Sequence, residues 1–482
     1  MNMKNDFLNK RSLKFGSYSV ALTAIVIAAV VILNAIVGAT QIRDRLKIDL
    51  TSQKLYSIGE KTDEVLKELN QDIEIIGLFD ENESDQYYNQ IVEFVKQYEL
   101  KSNKIHIRYV DPVKEVAYIQ NELDPNGVLG IQKYNYVVKS DKRTKVLSAY
   151  DLIEQTTDQN YQMSISGLNA EYAFTGAIRY VAADEVPVIY YTQGHGEGDM
   201  STDYSELKHS IEQHGYDVKP LTLSALEGVP ADASVVLITG PQQDLSVQEM
   251  ERLTTYMENG GDTLLMFDSL ELNPQMPNFE VFLAKFNLGL GYDIIFEMAA
   301  NRYYFNKPYI FMPTVENNDI NANLDPDTFN MTVAYTRSIP ILQNQKEWIT
   351  CTPLLTTSAE AEGQALNHDA QNTKGPFNIA VAAENKGNSA PSKTVVIGNA
   401  LFVTDSGRDS FGATGETFIL SALNWMENKE TDIFIAAKTY SVPMLENVTQ
   451  QTMILVPIVL IVVVPLIIFG VGVFIWLRRR HL

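Results

Sequence analysis

The sequence predicts an α/β protein: two α/β ectodomain units held between two transmembrane helices. Three observations carry this. Residues 18–39 and 453–477 are almost wholly apolar, whereas the chain between them has the composition of an acidic soluble protein. Between these stretches, short apolar runs alternate with segments of helical spacing, the pattern of sheets covered by helices. The run 188–191, bounded by Pro187 and a loop of Gly194, His195, Gly196, Glu197 and Gly198, reads as a buried strand that feeds a helix over 204–214. Strand, glycine loop and helix open a doubly wound unit, and such units bind ligands at the carboxyl ends of their strands.

The ends come first. Residues 18–39 carry no charge, and residues 453–477 are longer and more apolar, with Pro457 and Pro465 inside them. About twenty apolar residues cross the hydrocarbon core, and proline is tolerated there. The first stretch also ends in Val37-Gly38-Ala39, small residues that suit a signal peptidase, but its apolar region exceeds that of a signal peptide and reads as an uncleaved anchor. Lys4, Lys10, Arg11 and Lys14 lie before the first span, and Arg478, Arg479 and Arg480 follow the second. Basic flanks stay cytoplasmic, which places both termini (1–17 and 478–482) inside and the residues between the spans outside.

In the first unit, 48–170, Ser57 followed by Glu60 has the pattern of a capping box for a helix reaching residue 69. Strands are expected at 73–79, 105–110 and 136–140 and helices at 87–100 and 113–123, giving a mainly parallel sheet with an added edge strand at 145–148. Residues 171–186 supply a connecting helix. In the second unit, 187–442, strands follow at 216–221, 235–238, 263–267 and 394–398. Ser246 with Glu249 caps a helix over 247–259, closed by Gly260-Gly261. Helices are expected again at 279–286 and 416–426. Residues 289–386, Asn-rich and aperiodic, are too long for one loop and read as a β-rich excursion. Aromatic clusters there, Tyr303-Tyr304-Phe305 and Tyr309 to Met312, read as strand packing.

Composition narrows function. With 38 basic and 60 acidic residues the net charge is −22, which argues against nucleic-acid binding. Cys351 is the single cysteine, so the chain forms no internal disulfide, and its Thr- and Leu-rich setting suits a small buried side chain better than a nucleophile served by His368. No phosphate loop is present, since Gly412 to Gly415 lacks the lysine, and no Gly-x-Ser-x-Gly elbow occurs. The candidate site is the loop Gly194, His195, Gly196 and Glu197, joined by Asp268 and Asp405, which also end apolar strands. A histidine and three carboxylates along one sheet edge suit a cation or a polyhydroxyl ligand, or a base–acid pair. Fixing the loop and capping helices are the commoner roles of such residues and weigh ahead of both. No metal and no cofactor is expected.

The order of motifs resembles the GldG-type auxiliary subunit of ABC transporters, first known from gliding-motility systems. The residues are Asp49-Leu50-Thr51 with Lys54-Leu55-Tyr56-Ser57, Tyr109-Val110-Asp111-Pro112, Phe174-Thr175-Gly176-Ala177-Ile178, Gly194-His195-Gly196-Glu197, Gly240-Pro241, Gly260-Gly261 with Asp268, and Ala422-Leu423-Asn424-Trp425. The resemblance implies a non-ATPase component in a bacterial plasma membrane, beside a separate ABC ATPase and a permease. It also implies a second unit like the class I glutamine-amidotransferase fold, without that fold's cysteine nucleophile. The expected function is a membrane-anchored transport accessory whose ectodomain binds substrate, an envelope component or the permease. The alternative is an ectoenzyme acting on glycan or peptide through His195 and Glu197.

Overall fold

The computed structural model describes residues 54–440, with breaks at 81–85, 128, 158–162, 226–227, 270–274, 323, 325–328, 330, 344–345, 367–370, 413 and 428–437, together with residues 21, 23–32, 49, 51 and 464–480. Helix α1 (Glu60–Glu68) leads to β1 (Ile73–Gly77), α2 (Gln86–Lys101), β2 (Ile105–Tyr109), β3 (Tyr136–Lys139) and β4 (Thr144–Leu147). The sheet order is β2-β1-β3-β4. Only β1 and β2 run parallel; β1–β3 and β3–β4 are antiparallel, so the sheet is mixed and not mainly parallel. The cause lies between β2 and β3. A parallel return needs a crossover of a dozen residues or more, usually a full helix. Here the chain makes one α turn (Val116–Tyr118) and a π turn (Ile119–Leu123), short of the helix expected over 113–123.

Strands β5 (Ile153–Thr157) and β6 (Met163–Leu168) form a hairpin that leads into α3 (Ala170–Ala182). Ala173, Phe174, Ala177, Ile178 and Val181 of α3 pack into one core with Ile73 and Ile75 of β1, Val138 of β3 and Phe94, Val95 and Tyr98 of α2. Burying such a side chain stabilises by about 1.5–3 kcal/mol.

The second sheet begins with β7 (Val188–Thr192), α4 (Ser205–Gln213), β8 (Asp217–Leu221), β9 (Ala233–Thr239), α5 (Val247–Glu258), β10 (Asp262–Met266) and α6 (Pro277–Leu283). Short strands β11 (Asp293–Phe296), β12 (Tyr303–Tyr304), β13 (Lys307–Phe311), β14 (Thr314–Val315) and β15 (Val333–Ala334) follow. After them come β16 (Ile349–Thr356), β17 (Glu362–Ala365), β18 (Thr373–Lys374), β19 (Asn378–Asn385) and β20 (Ser392–Ile397). The eight-stranded order is β14-β16-β19-β20-β10-β9-β7-β8. Neighbours from β20 to β8 are parallel and those from β14 to β20 antiparallel. Strand β7 is buried throughout, as is β20, because helices α4 and α8 (Thr414–Met426) cover one face and α5 and α6 the other. Helix α7 (Asp405–Phe411) lies just before α8. Residues 289–386 do not stay apart from the sheet: β14, β16 and β19 extend it, while β11–β17–β18 and β12–β13–β15 make two small sheets of their own.

The two ends of this folded region meet. Strand β21 (Lys438–Thr439) pairs antiparallel with β6. Its Lys438 Nζ lies 2.6 Å from Glu171 Oε2 and also donates to the Ser57 carbonyl. Glu171 Oε1 accepts from Gly59 N at 2.6 Å and from Thr62 Oγ1 at 2.7 Å, so the start of α1 is capped from α3. The capping box expected at Ser57 does not form, because the Ser57 hydroxyl turns back to Asp49 Oδ2 at 3.2 Å.

Residues 23–32 and Val464–Arg480 are helical. Among the described residues no helix is long and apolar enough to cross a membrane. Much of both expected spans, 18–39 and 453–477, lies outside the described residues.

Candidate functional site

The glycine loop leaves the carboxyl end of β7. Gly194 has φ +122° and Gly196 φ +82°; at Gly196 a β-carbon would sit 2.8 Å from Gln242 Cβ, so the position admits only glycine without movement. His195 is buried. Its carbonyl accepts from Gln242 N at 2.8 Å and Gln243 N at 3.0 Å, at the end of β9. Its ring lies between two carboxylates, Nδ1 3.2 Å from Glu197 Oε1 and Nε2 3.2 Å from Glu249 Oε2. Glu197 also takes the His195 amide at 2.6 Å and the Thr192 hydroxyl at 2.8 Å. Glu249 closes the capping box with Ser246 at the head of α5.

Electrostatics follow from this geometry. The hydrogen bond to Glu197 raises the His195 pKa; burial opposes it and Glu249 adds to it. Burial would raise both glutamates, yet the imidazole, backbone amides and hydroxyls hold each below its ordinary value. When protonated, the ring donates from both nitrogens to the two carboxylates, and in that state it has no lone pair to act as a base or to ligate a metal.

Strand β7 pairs with β8 on one side and β9 on the other, so the chain reverses direction across the sheet between β7 and β9. Such a reversal leaves a crevice outside the strand ends. Here the His195 loop and the Gln242–Gln243 amides are hydrogen-bonded across it.

The other two carboxylates are occupied elsewhere. Asp405 caps α4: Oδ2 accepts from Ser205 N at 3.1 Å and Ser205 Oγ at 2.6 Å, and Oδ1 from Glu206 N at 3.0 Å. Burial would raise it, but these bonds lower its pKa. Asp268, after β10, accepts through Oδ1 from Ala400 N at 2.7 Å and Leu401 N at 3.2 Å, and burial raises its pKa. Among the described residues no three His, Cys, Asp or Glu side chains are grouped to hold a metal ion. The structure therefore places Gly194, His195, Gly196 and Glu197 in one unit and leaves Asp268 and Asp405 in two others.

Cys351 lies in β16, its thiol pushed up to about 11 by burial and directed at the Phe286 carbonyl at 3.4 Å, which does not suit a nucleophile. His368 falls outside the described residues. Sequence reasoning saw Glu249 only as a cap, though its place at the third helical position was legible. It missed Glu171, which no local motif marks.

Comparison with known proteins covers both sheets. A family model described as an ABC-type uncharacterized transport system matches residues 186–428, and a domain of unknown function matches residues 52–153. No curated protein matches the chain. Among solved structures, the mmIFT52 N-terminal domain is 14% identical, with 51% of this chain and 100% of that one covered and a TM-score of 0.39. A GMP synthase component from Thermoplasma acidophilum is 11% identical, with 52% and 100% covered and a TM-score of 0.27. A glutamine amidotransferase from Thermotoga maritima is 9% identical, with 52% and 87% covered and a TM-score of 0.28. Similarities this low assign no activity. The family match spans just over half of the sequence, and the chain belongs to this family of ABC-type transport-system auxiliary proteins.

Proposed function

We propose that the chain is a membrane-anchored, non-ATPase accessory component of an ABC transport system, of the GldG type. It works with a separate ABC ATPase and a multi-span permease in a bacterial plasma membrane. Two spans, 18–39 and 453–477, hold the ectodomain units 48–170 and 187–442 on the extracytoplasmic side, with both termini in the cytoplasm. The second unit is read as amidotransferase-like in fold, without that fold's cysteine nucleophile. The observation that carries the reading is the family match over residues 186–428. The apolar ends with their basic flanks, and the absence of a phosphate loop from the sequence, support it.

In this reading Gly194, His195, Gly196 and Glu197 act as a clasp joining β7 to α5, and Asp405 as a cap. The engaged imidazole counts against an ectoenzyme working through His195 and Glu197. ATP-driven motion in the partners acts on the ectodomain through differential contacts in two states. The test is affinity purification of the full-length protein from its native membrane, with identification of what accompanies it. An ATPase and a permease are expected; their consistent absence sinks the proposal.

A further inference from the structure

The hairpin of β12 and β13 ends in a residue that its turn does not favour. Tyr304 pairs with Lys307, so Phe305 and Asn306 form a two-residue loop. Their φ angles are +55° and +56°, both positive as a type I′ turn requires. Asn and Gly accept that conformation; for a ring as bulky as Phe it is strained. The strain brings no burial, because Phe305 is 77% exposed, with Tyr304 at 37% beside it. Of the three successive rings, Tyr303 at the base is the one packed against the core. The aromatic cluster expected to pack as a strand therefore holds one ring in solvent at its tip. Backbone strain kept at an exposed tip points to a task outside the fold.

The hairpin stands at the carboxyl end of the eight-stranded sheet. Strands β16 and β20 run the same way, since both are antiparallel to β19, and Thr314, just after β13, lies opposite Thr356 at the end of β16. Ala334, paired with Ile310 of β13, accepts through its carbonyl from Asn399 Nδ2 at 2.7 Å, just past the end of β20. The described chain leaves at this same end. Strands β5 and β21 run the same way, since both are antiparallel to β6. Strand β5 starts after Asp151, which bonds His209 in the middle of α4, and reaches Glu154, whose carboxyl feels the Arg408 charge. Arg408 Nη1 lies 2.8 Å from Glu206 Oε2 in the first turn of α4, which is the end of α4 nearest the carboxyl end of β7. Strand β21 therefore heads that way too. Residues 441–452 then lead to the apolar stretch 453–477, and twelve residues reach at most about 40 Å.

We propose that the β12–β13 hairpin dips into the outer leaflet of the bilayer that anchors the chain, with Phe305 in the interfacial region and Lys307 at anionic headgroups. Aromatic rings settle at the membrane–water interface, and a lysine beside them keeps its charge at headgroup level. The local charge fits: residues 298–315 hold no Asp or Glu, although the chain as a whole has net charge −22. Arg302 turns inward to the Thr314 hydroxyl, while Lys307 is exposed beside the tip. An apolar tip with a basic neighbour is attracted to anionic lipid, whereas a carboxylate there would be repelled. The inference rests on the membrane-anchored reading given above.

The test uses the full-length protein with Cys351→Ala, so that a nitroxide attached at Asn306→Cys or at Ser389→Cys reports one place. Ser389 is exposed between β19 and β20, at the opposite end of the sheet. The protein is reconstituted in nanodiscs of phosphatidylethanolamine and phosphatidylglycerol. Power-saturation EPR then compares the access of oxygen, which partitions into lipid, with that of a nickel chelate, which stays in water. Oxygen access is expected to exceed nickel access at residue 306 and to fall below it at residue 389. Phe305→Asn suits the turn, so in the unlabelled protein it is expected to hold or raise the thermal midpoint, while in the labelled protein it reverses the order at 306. The proposal is overturned by greater nickel access at 306, which marks a tip in water. Low access to both, a tip covered by protein, overturns it too, as does an unchanged order in Phe305→Asn. Anchoring is read separately, from retention of the parent protein in vesicles of the same lipids through an alkaline carbonate wash. Retention with the tip in water removes the hairpin contact and leaves the anchored reading standing; loss in the wash overturns both.

Discussion

The histidine that looked most like a reagent is the one most thoroughly used up. His195 is pinned by two buried carboxylates, so its removal leaves them facing each other without a cation. Breaking such a buried group by removing one partner costs about 3–5 kcal/mol, and His195→Ala is expected to fall in that range in urea unfolding. The pH dependence has two limbs. The folded His195 pKa is raised, so its contribution is complete below the unfolded value and fades as pH rises through the folded one. The folded Glu197 and Glu249 values are lowered, so their contribution is complete above the unfolded carboxylate range and fades as pH falls through the folded values. The clasp is strongest between these limits, and stability measured against pH should lose both limbs in the alanine variant. Gly196→Ala strains the backbone and drives a methyl into Gln242, at an expected cost of about 1 kcal/mol or more.

At the scale of elements, Asp405 shows how far local patterns reach. It sits at the first position of α7 but caps α4, two hundred residues earlier in the chain. Asp405→Ala should destabilise by about 1–2 kcal/mol and raise amide exchange first at Ser205 and Glu206. Strands β7, β9, β10 and β20 were legible because burial on both faces demands unbroken apolar runs. The Ser246 and Glu249 cap was legible because its two members are three residues apart. What escaped reading depends on distant partners. Strand β21 is two residues long and exists through its pairing with β6. Glu171 replaces Ser57 as the cap of α1 from more than a hundred positions away. The candidate site divides the same way: the glycine loop was visible as a unit, while the separation of Asp268 from Asp405 depends on which strand ends each faces.

At the scale of the molecule, the two sheets meet through α3, α4 and the turn before β5. His209 of α4 bonds Asp151, Tyr172 of α3 bonds the ring of His214, and Tyr180 bonds Asp217 at 2.9 Å. Lys145 reaches the Glu212 carbonyl at 3.4 Å from β4. Asp151 raises the His209 pKa, while His209 helps keep that of Asp151 low against its burial. The His209 contact is therefore complete below the unfolded histidine value and lost as pH rises through the raised folded one. Limited proteolysis across that rise should cut faster between the two halves, and His209→Ala should abolish the change.

The meeting of Ser57, Gly59 and Lys438 at Glu171 also decides how the molecule carries load. Lys438, held by the buried Glu171 carboxylate that also takes the Gly59 amide, bonds the Ser57 carbonyl 381 positions away in sequence. Tension applied at the two ends passes through that fastening and the short β6–β21 pairing. The eight-stranded sheet lies outside the line of force, and a tug between the ends reaches it only after the fastening has given way.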